Sequence, residues 1–208
     1  MTLAARLVPS GVAVAEMRDT GQQIPLHPAE AILVEGAVDK RRRDFALGRA
    51  CARAALAQCG LADAVIGQDA ARRPVWPAGI VGSITHTAGY AAALAAPAAR
   101  HAGLGVDAER IGGARLFLPQ ERALLAACAA QDRARLATLL FTAKEACFKA
   151  ADPAPRVPVT AGTLSFAGIA VTVTGDGFLA RVPGLEAPVL GRHAVADDLV
   201  VSCAWIAR

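Results

Sequence analysis

Hydrophobic and polar positions along the chain fall into stretches of two periods, near 3.6 and near 2. Val12–Met17 predicts a first strand, followed by a loop to residue 27. Pro28–Glu35 predicts a helix start, with Pro28 and Glu30 placed early. Asp39–Cys59 is a stronger helix, rich in Ala, Leu and Arg and closed by Gly60. Arg49 and Arg53 lie four apart in it and share a face. Gly67–Gly79, broken by Pro74 and Pro77, reads as a loop. Ile80–Thr85, Tyr90–Ala96 and Leu104–Glu109 read as three strands, and their closeness predicts a meander. Further on, Leu118–Ala129 and Gln131–Ala150 read as helices, the second stopped by Pro153, Pro155 and Pro158. Leu164–Phe166, Ile169–Thr174, Gly177–Val182, Gly191–Val195 and Leu199–Ala207 read as strands. Each half is then helix plus antiparallel sheet. The expected class is α+β, or mixed α/β, built from two similar halves, 1–101 and 102–208, divided at a turn near Ala99–Gly103.

Composition sharpens this picture. Of 208 residues, 54 % are hydrophobic, enough for a sizeable core, but only 4 % are aromatic, so small aliphatic side chains must fill it. The net charge of +4 is carried almost entirely by Arg; Lys occurs only at Lys40, Lys144 and Lys149. Basic residues cluster at Lys40–Arg43, Arg49, Arg53 and Arg72–Arg73, which points to a polyanionic partner. The excess is too small to favour nucleic acid alone. Five cysteines, none in a C-x-x-C pair, read as reduced thiols of a cytoplasmic protein. No signal region or membrane span is expected, since the Ala-rich run Ala88–Ala99 is short and interrupted by Pro97.

Three segments carry candidate chemistry. In Gly105-Val106-Asp107-Ala108-Glu109 the strand period puts both carboxylates on one face. Such a pair suits a hard divalent cation, or simply a solvated strand end. In Phe141–Lys149, Glu145 and Lys149 are one helical turn apart, as in an ordinary surface ion pair, yet two of the three lysines fall within six residues here. A lysine ammonium serves as a point charge on phosphate. Third, Arg72-Arg73-Pro74-Val75-Trp76-Pro77 forms a rigid loop before Val81–Thr87, where His86 stands among Ser83 and Thr85 as a phosphate-binding corner or as structure. Trp76 reads as a cap on the core.

P-x-W-P, then G-S-I-T-H, G-V-D-A-E and F-T-A-K-E-A-C-F-K, in this order, resemble the 4'-phosphopantetheinyl transferases of the enterobactin-synthase and surfactin-synthase type. The basic helix from Lys40 to Arg49 resembles that family's first helix, and the likeness runs from about Ile24 to Lys149. The resemblance implies a pseudo-dimer of two α+β halves with the active site between them, working as a monomer. It implies transfer of phosphopantetheine from coenzyme A to a serine of an acyl, peptidyl or aryl carrier protein, with loss of 3',5'-ADP. Asp107, Glu109 and Glu145 would hold Mg²⁺, with Mn²⁺ left open, and Glu145, Lys149 and Glu121 would act in catalysis, Glu121 as base. Lys144 and Lys149 would hold the phosphates. His86 and Arg49, with Arg43 or Arg53, would bind the 3'-phosphate end; Ser83 and Thr85 would line that corner, joined by Arg72 or Arg73. Phe141-Thr142 stands where the family commonly has Trp-Ser. Siderophore, nonribosomal-peptide and polyketide carriers are all open. The rivals are a non-catalytic coenzyme A or carrier-protein binding module, the short trimeric type of transferase, which the length disfavours, and a nucleic-acid binder, which the Arg-rich helix lacks the aromatic residues to support.

Overall fold

Among the residues described by the computed structural model (2–62, 64–112, 117–152 and 165–208), the two periods become ten strands and four α-helices. In chain order they are β1 (Ala13–Arg18), α1 (Pro28–Ala31), α2 (Asp39–Gln58), β2 (Gly67–Gln68), β3 (Pro74–Val75), β4 (Ile80–Thr87) and β5 (Tyr90–Pro97). Then come β6 (His101–Arg110), α3 (Pro119–Ala127), α4 (Ala130–Ala151), β7 (Ala170–Thr174), β8 (Gly177–Arg181), β9 (Val189–Ala196) and β10 (Leu199–Ala207). All pairings are antiparallel: β1-β5-β4 form one sheet, β6-β10-β9-β8-β7 a second, and β2-β3 a small ribbon. The α+β class expected from the sequence is the class observed.

Four local expectations are corrected. The meander ends after two strands, because β6 leaves β5, pairs with β10 and takes side-chain partners from β4 on its other edge. The loop Gly67–Gly79 contains the β2-β3 ribbon, closed by an Asp69–Arg73 turn in which Asp69 Oδ1 accepts from the backbone of Ala71 and Arg73. Phe166 belongs to a 3₁₀ turn, Phe166–Gly168, not to a strand; Leu164, and the prolines expected to stop α4, lie outside the described residues. The boundary turn is shorter than expected, because β6 already begins at His101.

Alternation along β5 explains the layering. Ala91, Ala93 and Ala95 face Leu47, Cys51, Ala52, Ala55 and Leu56 of α2. Tyr90, Ala92, Leu94 and Ala96 face Leu104, Val106 and Ala108 of β6 and Leu199, Val201 and Cys203 of β10. The other face of the five-stranded sheet packs Val171, Phe178, Ala180, Val189 and Ala204 against Ala143, Ala146, Cys147 and Ala150 of α4. The order is helix, sheet, sheet, helix. Ala is a weak strand former, but a strand buried on both faces needs side chains small enough for both neighbours to approach, and packing overrides propensity.

Two contacts fix the position of β6. First, β6 is an edge strand, and its outward N–H groups are met by side chains of β4: Val106 N–H donates to Ser83 Oγ (3.1 Å) and Ala108 N–H to Thr85 Oγ1 (3.2 Å). Hydroxyls thus substitute for a ladder and seam the two sheets together. Second, α4 lies directly on the other face of β6. A Cβ on Gly105 would stand 1.8 Å from the Ala146 carbonyl oxygen, and one on Gly103 would stand 1.9 Å from that of Ala150. Backbone meets backbone there, and only glycine permits it.

Gly105→Ala should therefore lower unfolding free energy by about 3 kcal/mol in urea titration, at the upper end for overpacking, because a helix must move rather than a side chain. A loss under about 0.5 kcal/mol, the range of an ordinary surface change, would refute the contact.

Candidate active site

Asp107 and Glu109 pair in register with Ser202 and Val200 of β10. Ser202 Oγ lies 2.8 Å from Thr142 Oγ1 of α4, so this is the face turned to α4. From α4 come Glu145 and Lys149. Lys149 Nζ donates to Asp107 Oδ1 (2.7 Å) and to the Val106 carbonyl (3.1 Å). Thr85 Oγ1, already bound to the seam, donates to the same Asp107 oxygen at 3.1 Å. Asp107 is only 5 % exposed, and its Oδ2 is buried without a partner. Thr87 Oγ1 donates to Glu109 Oε2 (3.3 Å).

The acids feel one another. Burial raises the Glu109 pKa above the usual carboxyl range, and the Asp107 charge raises it further, against Thr87 and Lys149. Burial also raises Glu145; Lys149 opposes this, while Asp107 and Glu109 add to it. Among the described residues no three metal-ligating side chains converge closely enough to enclose an ion as they stand. The donor chemistry nevertheless fits a hard cation: three carboxylates from a strand and a helix, one with a buried oxygen that nothing satisfies. Like charges held together in a half-buried site spread apart, and a dication is what would draw them in.

The basic corner lies along α2. Arg49 is buried, its guanidinium 4.4 Å over the Phe45 ring and its Nη2 donating to the Gly67 carbonyl (3.1 Å), while its Nε has no partner. Burial lowers its pKa to about 10; Glu30 opposes the shift, and Arg41 and Arg53 add to it. His86 is the next-to-last residue of β4 and lies at the surface. Crowding of its ring by protein lowers its pKa, with Asp44 opposing and Arg41, Lys149 and Lys40 adding. Arg41 therefore acts on both Arg49 and His86. It also lines a cavity of about 280 Å³ with Gln68 and Arg72. Arg41 is absent from the residues expected on sequence grounds, although the spacing Arg41, Phe45, Arg49 along one helix flank is a signal that could find it.

Several expected residues are placed elsewhere. Arg53 pairs with the buried Glu30 and donates to the Pro25 carbonyl (3.0 Å), so its charge ties α1 to α2. Arg43 lines a separate cavity of about 410 Å³ with the loop Gly21–Leu26, because six residues of helix turn it away from Arg49. Ser83 and Thr85 are buried with their hydroxyls engaged in the seam; Thr85 still touches the acidic centre through Asp107. Of the two arginines before P-x-W-P, Arg73 is held by Asp69 (2.7 Å) and Asp152 (3.1 Å), which ties the ribbon to the end of α4. Arg72 is exposed, in a left-handed conformation with φ 66°. Trp76 packs on Gly82, where a Cβ would meet its ring at 2.5 Å, so it is the core cap expected.

Lys144 and Glu121 stand together. Lys144 is fully buried, its Nζ 3.0 Å from Glu121 Oε2 and 5.7 Å from the centre of the Phe166 ring. Glu121 is 2 % exposed and accepts from Leu118 N–H (2.7 Å) and Val171 N–H (3.5 Å). The pair joins α3, α4 and β7. Lys144 and Lys149 are five residues apart, which puts them on different flanks of α4.

Comparison with known proteins gives the same order of segments. Residues 29–96 match the model of the 4'-phosphopantetheinyl transferase N-terminal domain, and residues 103–195 that of the 4'-phosphopantetheinyl transferase superfamily. The chain is 40 % identical to 4'-phosphopantetheinyl transferase Npt of Nocardia iowensis, over 77 % of this chain and 72 % of that one. It is 40 % identical to 4'-phosphopantetheinyl transferase Svp of Streptomyces mobaraensis, over 88 % and 79 %. It is 35 % identical to 4'-phosphopantetheinyl transferase PptT of Mycobacterium tuberculosis, over 97 % and 96 %.

If Lys144 and Glu121 act as a buried pair, Lys144→Met should destabilise the protein by about 3 kcal/mol, since it strands a buried carboxylate. Adding Glu121→Gln should recover part of that loss. Strictly additive effects in a thermal or urea double-mutant cycle would refute the coupling.

Proposed function

We propose, starting from the fact that this chain belongs to the 4'-phosphopantetheinyl transferase superfamily, that it moves phosphopantetheine from coenzyme A to a carrier-protein serine with the help of Mg²⁺ and releases 3',5'-ADP. The observation that carries the magnesium reading is Asp107: buried, one oxygen on Lys149, the other unsatisfied, beside two acids whose proton affinity is raised. Asp107, Glu109 and Glu145 would hold the metal. When bound, it supplies Lewis-acid stabilisation of the charge that builds on the phosphates.

The rest is work for the chain's own residues. Arg49, Arg41, His86 and Arg72 form the basic side of the cleft and suit the 3'-phosphate and its nucleoside; Arg43 and Arg53 drop out of this role. Lys149 stands between that corner and the acids, where an ammonium can neutralise the pyrophosphate. The serine oxygen attacks the phosphorus bearing pantetheine, the bond to the departing phosphate breaks, and the serine proton must be taken up. Glu145 is more accessible for that task than Glu121, because it is only half-buried while Glu121 lies under Lys144. Glu121 is sealed under Lys144 and acts as a positioning residue.

One chain supplies both walls of this cleft, which supports a working monomer. The five cysteines are free thiols, which supports a reducing, cytoplasmic setting. Among the described residues no helix is long and apolar enough to cross a membrane.

Intact-mass spectrometry of an apo carrier protein incubated with this protein, coenzyme A and Mg²⁺ tests the reading. A gain of one phosphopantetheine, abolished by EDTA, is the expected result; a gain that persists in EDTA removes the metal, and binding of coenzyme A without any gain favours a non-catalytic module. Asp107→Ala and Glu145→Gln should each cost at least about a hundredfold in rate, the scale of a principal electrostatic or proton-transfer group. Glu121→Gln, which keeps one accepting oxygen but loses the other and the charge opposite Lys144, should cost stability first and less than about tenfold in rate per folded molecule; a hundredfold loss in that rate would return the proton to Glu121.

A further inference from the structure

The acidic centre contains a conflict that the proposed reaction leaves unaddressed. Asp107 has two oxygens. Oδ1 accepts from Lys149 (2.7 Å) and Thr85 (3.1 Å), and only Oδ2 is left. A dication drawn to Oδ2 would stand within a few ångströms of the Lys149 ammonium, with a single carboxylate between the two. Like charges at that separation repel strongly in a half-buried site. The lysine is held by more than Asp107, because the Val106 carbonyl also accepts from it (3.1 Å). Yet its side chain is 30 % exposed and its stem is flexible, so a better partner in the cleft can draw it away.

The geometry points to Lys149 as a counter-ion exchanger: its ammonium competes with the metal for Asp107, and the phosphates of coenzyme A end the competition by taking the ammonium. The inference rests on the proposed magnesium and coenzyme A chemistry of this site. It makes the two ligands cooperative through one side chain, and by linkage each raises the affinity of the other by the same factor. Without coenzyme A the protein holds the metal weakly. A residue that assists the reaction thus weakens binding of the metal the reaction needs.

Mn²⁺, whose free ion is counted by electron paramagnetic resonance, is the probe. Wild type, Lys149→Met and Lys149→Arg are titrated with Mn²⁺ alone and with saturating coenzyme A. Alone, Lys149→Met should bind Mn²⁺ about tenfold or more tighter than wild type, while Lys149→Arg, which keeps the cation, should bind like wild type. Coenzyme A should strengthen Mn²⁺ binding in wild type, and this strengthening should shrink in Lys149→Met by the factor already gained, the remainder coming from direct phosphate contact. Equal or weaker binding of Mn²⁺ alone by Lys149→Met overturns the exchange and leaves the metal site standing. Mn²⁺ binding by none of the three, with or without coenzyme A, overturns the metal reading and the exchange with it, even where coenzyme A itself still binds.

Should the variants not fold, wild type decides, because it has three lysines: Lys40 on the surface, Lys144 sealed in the core, and Lys149. In protein labelled with ¹⁵N at lysine, the Lys149 ammonium signal should move when coenzyme A is added, while that of Lys144 stays; Lys40, which acts on His86, is not the reference. A Lys149 signal unmoved by both coenzyme A and Mg²⁺ overturns the exchange.

Discussion

Everything at the acidic centre depends on a helix resting on a strand with nothing between them. Gly103 and Gly105 present bare backbone to the carbonyls of Ala146 and Ala150, so α4 comes closer to β6 than any side chain would allow. That closeness brings Glu145 and Lys149, one turn apart on α4, level with Asp107 and Glu109 on β6. The small residues of this sequence are therefore more than filler for a core poor in aromatics. At this contact they bring Lys149 of α4 within hydrogen-bond reach of Asp107 on β6.

The hydroxyl seam performs a second positioning task. Thr85 accepts from the backbone of Ala108 and donates to Asp107, so one side chain from the first half fixes both the edge of β6 and the orientation of the acid beside it. Arg73 joins the halves again at the far end of α4 through Asp152. The exposed ion pair adds little energy by itself. What it adds is direction: the loop bearing Arg72 is tied to the helix bearing Lys149.

The fold is largely legible in the sequence because its signals are local. Short apolar runs between turn residues locate most of the strands, and Gly60 marks the end of α2. The ribbon β2-β3 is not legible, since two residues are too few for a period to show. The destination of β6 is not legible either, because it depends on a partner strand at the other end of the chain and on hydroxyls twenty residues upstream. The site divides along the same line. Asp107, Glu109, Glu145 and Lys149 follow from strand and helix spacing once two elements are known to meet. The burial of Ser83, Lys144 and Glu121 is not legible, because a polar residue in a motif looks the same whether it faces a cleft or satisfies a buried neighbour. Arg41 is hidden among four consecutive basic residues, where charge alone does not tell one flank of the helix from another.

The seam also says something about how the two halves can live apart. A strand whose N–H groups are satisfied by hydroxyls from the other half becomes, once that half is removed, an open edge ten residues long with its donors bare. The second half on its own would therefore not be a smaller version of this protein but a template for sheet growth from one chain to the next. A self-sufficient version of that half has to cover the same edge in some other way, with another copy of itself or another strand, and joining two halves in one polypeptide makes the cover permanent and keeps its two sides at equal concentration.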